Sequence, residues 1–170
     1  AYLRSLKTFE VTSDNTMEEV LGNGQKLQFL NRVRYVVDGP DKLYSEIRND
    51  RRDIRLFYDG KALTVENAAT GFYAVAPMTG TIGDLLRKAD EQYGIELPLQ
   101  DLFRWGSKTA STVAPKEGFK VGPARIGAST TDHYAFRQDD VDFQIFIEQG
   151  DKPLPRKLVI TTLTDPAHPQ

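Results

Sequence analysis

Arg55-Leu-Phe-Tyr-Asp-Gly-Lys-Ala-Leu-Thr-Val65 is the stretch whose reading decides the fold of this chain. Two short β-patterned runs flank Asp59-Gly60, a dipeptide that accepts the positive φ angles of a tight hairpin turn. The same layout of strand, polar turn and strand recurs along most of the 170 residues. Upstream, Leu3 and Leu6 read as the end of a helix, and from Thr8 onward Phe9, Val11, Ser13, Asn15 and Met17 share one strand face. After the turn Gly22-Asn-Gly24, Lys26 to Val37 is the longest strand expected. It places Leu27, Phe29, Val33, Tyr35 and Val37 on one side, with Gln28, Arg32 and Arg34 on the other. A strand of that length spans roughly 40 Å, about twice the usual, and sheets built from such strands twist and curl. Further strands are expected at Leu43–Arg48, Ile54–Tyr58, Ala62–Glu66 and Phe72–Ala76.

The rhythm breaks at Thr81–Tyr93. Thr81 can cap a helix, Asp84 stands where a capping box needs an acceptor, and Gly94 supplies the stop. Ile82, Leu85, Leu86, Ala89 and Tyr93 make one apolar stripe opposite Arg87, Lys88, Asp90 and Glu91. A helix of about 13 residues is marginal alone in water, so the stripe must pack on the sheet. Pro98–Phe103 reads as a second helical turn and Lys108–Pro115 as a loop. Strands return at Phe119–Ile126, Asp132–Arg137, Val141–Ile147 and Lys157–Leu163. In the third of these Val141, Phe143, Ile145 and Ile147 alternate with Asp142, Gln144 and Glu148, which leaves Phe146 on the polar side. The expected architecture is mainly β with helices: one domain over residues 1–170, an incomplete, half-closed antiparallel β-barrel under covering helices. Its first helix and its final strands look unfinished.

Composition narrows the function classes. The 22 Lys and Arg nearly balance the 24 Asp and Glu, without the basic excess of a nucleic-acid binder. No apolar run is long enough to span a bilayer as a helix. The chain has no cysteine, which removes disulfides, thiol catalysis and cysteine-zinc sites.

Four blocks carry a family resemblance: Phe57-Tyr-Asp-Gly-Lys61, Tyr93-Gly-Ile-Glu-Leu-Pro-Leu99, Phe136-Arg-Gln-Asp-Asp-Val-Asp-Phe143 and Pro153-Leu-Pro-Arg-Lys-Leu-Val-Ile160. A long-stranded sheet interrupted by helices after its sixth strand resembles the periplasmic lipoprotein carriers LolA and LolB and the sensor RseB. The local sequence is closer to an uncharacterised family of predicted periplasmic proteins within that superfamily. The resemblance implies a half-barrel whose concave face is closed by helices around an apolar cavity, and export to the periplasm. It carries over no catalytic residue.

The titratable residues support no reaction. His133 and His168 are the only histidines, one in a strand and the other in a Pro-rich tail, which argues against a shared metal or acid–base pair. Asp139, Asp140 and Asp142 lack the spacing and glycine of a calcium loop and read as a hairpin turn. No serine has nucleophile-elbow context, and Gly-rich phosphate loops are absent. Arg48, Arg51, Arg52 and Arg55 gather at one turn, read first as solvated and second as a site for an acidic partner or lipid head group. The expectation is therefore a non-enzymatic periplasmic binding protein without cofactor or metal. Its hydrophobic ligand, a lipid or the acyl chains of a lipoprotein, is expected in a cavity lined by Phe9, Val11, Phe29, Val33, Tyr35, Ile47, Leu85, Leu86, Phe103 and Trp105. The alternative is a sensor or scaffold domain that binds another envelope protein through the convex face or a sheet edge.

Overall fold

A computed structural model describes residues 2–95, 97–100, 103 and 115–170. After a short helix α1 (Tyr2–Ser5) come six strands, β1 (Thr8–Val20), β2 (Lys26–Asp38), β3 (Lys42–Arg48), β4 (Asp53–Tyr58), β5 (Ala62–Asn67) and β6 (Phe72–Pro77). Helix α2 (Ile82–Tyr93) follows, then β7 (Glu117–Ile126), β8 (Ser129–Arg137), β9 (Val141–Glu148) and β10 (Pro155–Thr162). The first six strands form one sheet in chain order, and the last four form a second, ordered β10-β9-β8-β7. The pairings from β2 to β6 and from β7 to β10 are antiparallel, and neither sheet closes into a barrel. The mainly β, antiparallel character and the elements read from sequence are thus present. Asp101 and Leu102 of the Pro98–Phe103 turn, Trp105 and most of the Lys108–Pro115 loop lie outside the described residues.

The chain forms two compact units. One comprises Leu6–Thr16 and Leu30–Ala110, and the other Ala1–Ser5, Met17–Phe29 and Ser111–Gln170. In the first, α2 lies on the face of the sheet that carries Val33, Tyr35, Val37, Leu43, Leu56, Tyr58 and Leu63. The helix starts as its sequence requires. The Thr81 hydroxyl accepts the Asp84 N–H, the Asp84 carboxylate accepts the Thr81 N–H, and Gly94 ends the helix at φ 61°. Ile82, Leu85, Leu86 and Ala89 are buried, while Arg87 faces solvent between Asp84 and Glu91. This is the orientation that the stripe predicted, except at Tyr93, which stands in the last turn before Gly94 and is 54% exposed.

Three local expectations need correction. The β4–β5 connection is not a two-residue turn with two positive φ angles. Only Gly60 is left-handed (φ 85°), and the Asp59 carboxylate accepts the N–H groups of Lys61 and Ala62. An Asx turn of this kind satisfies the same backbone groups with ordinary geometry at the aspartate. Along β1, alternation holds from Phe9 to Asn15 and then slips by one residue. Met17 is exposed and Glu18 takes the inward parity. The Glu18 carboxylate receives Lys26 at 3.1 Å and the Gln28 amide, so this end of the hairpin is tied by polar contacts, not by methionine. In β9 the lone aromatic of the polar side, Phe146, is the buried residue, and its apolar-side neighbours are only partly covered. Phe146 stacks on His133 at 4.0 Å with Lys157 Nζ 5.8 Å from its ring, next to the buried Thr131. Long polar side chains contribute their stems to such packing.

Candidate functional site

The residues expected to line a cavity are brought together in large part. Phe9, Val11, Val33, Tyr35, Ile47, Leu85, Leu86 and Phe103 all belong to the cluster under α2. Strand parity puts Phe9, Val11, Val33, Tyr35 and Ile47 on one face, and the helix stripe meets them there. Phe103 stacks on Phe9 at 6.1 Å and meets the edge of Tyr35 at 5.3 Å. Within the cluster Val33 and Tyr35 are 0% exposed and Leu85 and Leu86 only 1%, so its centre is sealed from solvent. Phe9, Val11, Ile47 and Phe103 form a partly buried margin. The Tyr35 hydroxyl donates to the Pro98 carbonyl at 2.5 Å, and burial pushes its phenol well above the ordinary tyrosine value. Phe29 is part of the other compact unit and Trp105 lies outside the described residues.

The second unit presents a different apolar face. Register places Lys120, Tyr134, Ile145 and Leu158 in one row across β7–β10, and Gly118, Phe136, Phe143 and Ile160 in the next row on the same face. Phe136 and Phe143 stack at 4.8 Å, and Tyr134 lies 6.5 Å from Phe136. Gly118 allows this row to form, because a Cβ there would stand 2.6 Å from Phe136 Cδ1. Glycine under an aromatic ring is a recurrent way to cover bare backbone in a sheet. In contrast to the α2-covered face, Tyr134, Phe136, Phe143, Ile145 and Leu158 all keep partial solvent contact, and Ile160 is 45% exposed. Lys120 borders the row, paired with Asp132 at 2.8 Å and 5.9 Å from the Tyr134 ring. The sequence signal for this face was the alternation in β9, which marked its apolar side without showing that it is only partly covered.

On the outer face of the six-stranded sheet, Val36, Tyr44, Phe57 and Thr64 stand side by side across β2–β5. They border an open groove of about 370 Å³ that Asp38, Lys42, Asp59 and Ala62 also line. The Tyr44 and Phe57 rings are 5.1 Å apart, with the Arg34 guanidinium 5.9 Å from Tyr44. Tyr58 points the other way and donates to the Gly80 carbonyl at 2.7 Å, which settles the parity of the Phe57–Tyr58 pair.

The charged groups are mostly engaged with one another. Arg48 pairs with Glu46 at 2.7 Å and Asp53 at 3.2 Å, while Arg55 sits between Glu46 and Glu66, 3.8 Å from each. Asp142 is gripped by Arg137, which holds its carboxyl below the usual range, and Asp139 pairs with Lys116. The acidic cluster is the β8–β9 turn, as its spacing suggested. His133 Nε2 meets Gln144 Oε1 at 2.9 Å and His168 Nδ1 meets the Thr162 carbonyl at 3.3 Å, so the two histidines serve separate local contacts. Among the described residues no three His, Asp or Glu side chains converge as a metal site. Nor is any described helix long and apolar enough to cross a membrane.

Among known protein families, one matches the chain over its full length, residues 1–170: Predicted periplasmic protein (DUF2092). No curated protein matches it.

Proposed function

From the premise that the chain belongs to this family of predicted periplasmic proteins, we propose that it is a non-enzymatic binding protein for a long-chain lipid or the acyl chains of a lipoprotein. The ligand lies on the apolar face of β7–β10, over Tyr134, Phe136, Phe143, Ile145, Leu158 and Ile160. The observation that carries this reading is the partial exposure of that whole set of large apolar side chains, where the comparable face under α2 has a sealed centre. Contiguous apolar surface left accessible in a folded domain marks an interaction site more often than chance. The resemblance of the sequence to the lipoprotein carriers LolA and LolB supports the ligand class. No step of bond chemistry is assigned, because the histidines described above are engaged by Gln144 and the Thr162 carbonyl and the carboxylates by arginines and Lys116.

Magnitude selects a long chain over a small apolar molecule. Micromolar binding requires roughly 8 kcal/mol. At about 0.8 kcal/mol per methylene, that is at least ten buried methylenes before association costs are subtracted. The test is titration of the purified protein with a fluorescent C16 fatty-acid analogue, together with native mass spectrometry for co-purified lipid. The expected result is micromolar binding that Ile145→Glu abolishes and Phe57→Ala, on the outer groove, leaves unchanged. A folded sample that binds no probe, or binding that survives Ile145→Glu, removes this reading. The outer groove with its Tyr44–Phe57 pair favours a second reading, docking of another envelope protein; it predicts the opposite sensitivity, with Phe57→Ala the damaging change.

A further inference from the structure

Strand β6 is an edge of the six-stranded sheet and pairs only with β5 among the described strands. The Met78 N–H donates to the Lys61 carbonyl at 2.8 Å, and the register continues as Leu63 opposite Ala76, Val65 opposite Ala74 and Asn67 opposite Phe72. Hydrogen-bonded pairs recur every second residue in an antiparallel ladder. Ala76, Ala74 and Phe72 therefore bond inward to β5, and Tyr73 and Val75 aim their N–H and C=O groups at the open side. The same stretch carries large exposed side chains: Phe72 is 79% exposed, Tyr73 72% and Val75 56%. From Asn67 to Gly83 the sequence has no charged residue. Free edges are normally guarded by a lysine, an inward charge or a bulge, and here the only such guard is Pro77 at the strand end.

We propose that β6 pairs with β6 of a second copy of this chain across a two-fold axis at Ala74. Antiparallel pairing centred there sets Tyr73 opposite Val75 of the partner in hydrogen-bonded positions, so both residues satisfy their free backbone groups. On the other face Phe72 falls opposite the partner's Ala76, and the two Ala74 residues face each other. Each large side chain thus meets a smaller one, and the arrangement is its own complement, as a two-fold interface requires. The lack of charge matters here, since any charged side chain near the axis would meet its own like. Two aromatics and a valine at these exposures offer roughly 400 Å² per copy, or about 800 Å² in all, against about 1,200 Å² for the smallest stable interfaces. The dimer is accordingly weak and reversible.

Sedimentation velocity from about 10 µM to about 1 mM, a range that brackets weak interfaces, should show the mass rising from one copy toward two. Ala74→Lys sets two like charges on the axis at an exposed position and should raise the dissociation constant at least tenfold. Ala74→Cys, in a chain with no other cysteine, should form a disulfide-linked dimer under mild oxidation. Facing non-hydrogen-bonded residues bring their Cα atoms to about 4.5 Å, within disulfide reach. Met17→Cys, exposed on β1, is the control and should cross-link far more slowly. The proposal is overturned by a chain that stays monomeric at the top of the range. It is overturned equally by dimerisation that ignores Ala74→Lys, by equal cross-linking at positions 74 and 17, or by a monomer whose edge instead takes an unrelated uncharged peptide.

Discussion

Leu86→Ala separates packed core from ligand cavity beneath α2. Leu86 is 1% exposed and lies in the cluster with Val33, Tyr35 and Leu85, so truncation removes apolar carbon that no water reaches. The transfer loss is about 2–3 kcal/mol for a buried leucine. A residual void of about 50 Å³ would add about 1 kcal/mol at the usual cost per unit volume. Alanine's better helix propensity returns only a few tenths. The expected cost is therefore about 3–4 kcal/mol, or roughly 10 °C in the thermal midpoint of a chain this size. Because α2 is too short to persist alone, the loss should register as cooperative unfolding and not as local fraying.

Urea denaturation followed by far-ultraviolet circular dichroism measures it, with Leu30→Ala as the companion. Leu30 is 69% exposed, and its truncation should stay within about 0.5 kcal/mol. The two compact units call for a check that the transition is two-state before either midpoint is converted to free energy. A cost below about 1 kcal/mol would show that Leu86 does not sit in filled core. If the fatty-acid probe also bound more weakly to that variant, the ligand would belong beneath α2, and its assignment to the β7–β10 face would be wrong.

Thr81→Ala removes the hydroxyl that accepts the Asp84 N–H at 3.2 Å and should cost about 1 kcal/mol by denaturant titration; a neutral result would deny the capping box any energetic role. Gly118→Ala should displace the Phe136 ring, destabilise the protein by about 1–3 kcal/mol and weaken probe binding, and an unchanged midpoint would mean that the ring is not held there. The Asp84 carboxyl is held below its ordinary value by the Thr81 N–H, then by the Thr81 hydroxyl and Arg87. A depressed folded value means that its stabilisation is present above the unfolded aspartate value, near 3.9, and is lost as pH falls through the folded value. The thermal midpoint should thus drop on acidification with a shallower slope in Asp84→Asn; identical slopes would sink this assignment.

Most elements were legible because alternation and capping are local. Residues 81–94 contain the instruction for α2, and Leu27 to Val37 read as one face because only Asn31 breaks their apolar period. The errors fall where the decisive partner is distant in sequence. Met17 and Glu18 exchange places because Lys26 and Gln28, on the neighbouring strand, receive the carboxylate. Phe146 reads as the odd residue of a polar face, but His133 and Lys157, brought alongside by pairing, give that face an apolar interior of ring and stem. Phe57 and Tyr58 could not be assigned from parity within a two-sided strand; Tyr58 is fixed by a hydroxyl contact to Gly80 across the turn into α2. Of the proposed lining, eight positions meet under α2 because strand parity and helix stripe are both periodic signals. Phe29 parted from them because periodicity does not say where along a long strand one packing unit ends.

The same alternation yields a sealed face in one unit and an open one in the other, and the difference lies in what the chain supplies to cover each. Over β2–β5 it supplies Ile82, Leu85, Leu86 and Ala89 on a capped helix, whose burial offsets the cost of ordering it. Over β7–β10 the covering is only partial, yet the face keeps aromatic and branched side chains, Tyr134, Phe136, Phe143, Ile145, Leu158 and Ile160, where polar residues would solvate it. An apolar surface left partly open forgoes part of the stabilisation that full burial gives and carries an aggregation risk. Those side chains gain the remainder only when something else covers them. That makes the face, and not the buried cluster beneath α2, the place where occupancy should raise stability. Saturating probe at one hundred times its dissociation constant would add about 2.7 kcal/mol.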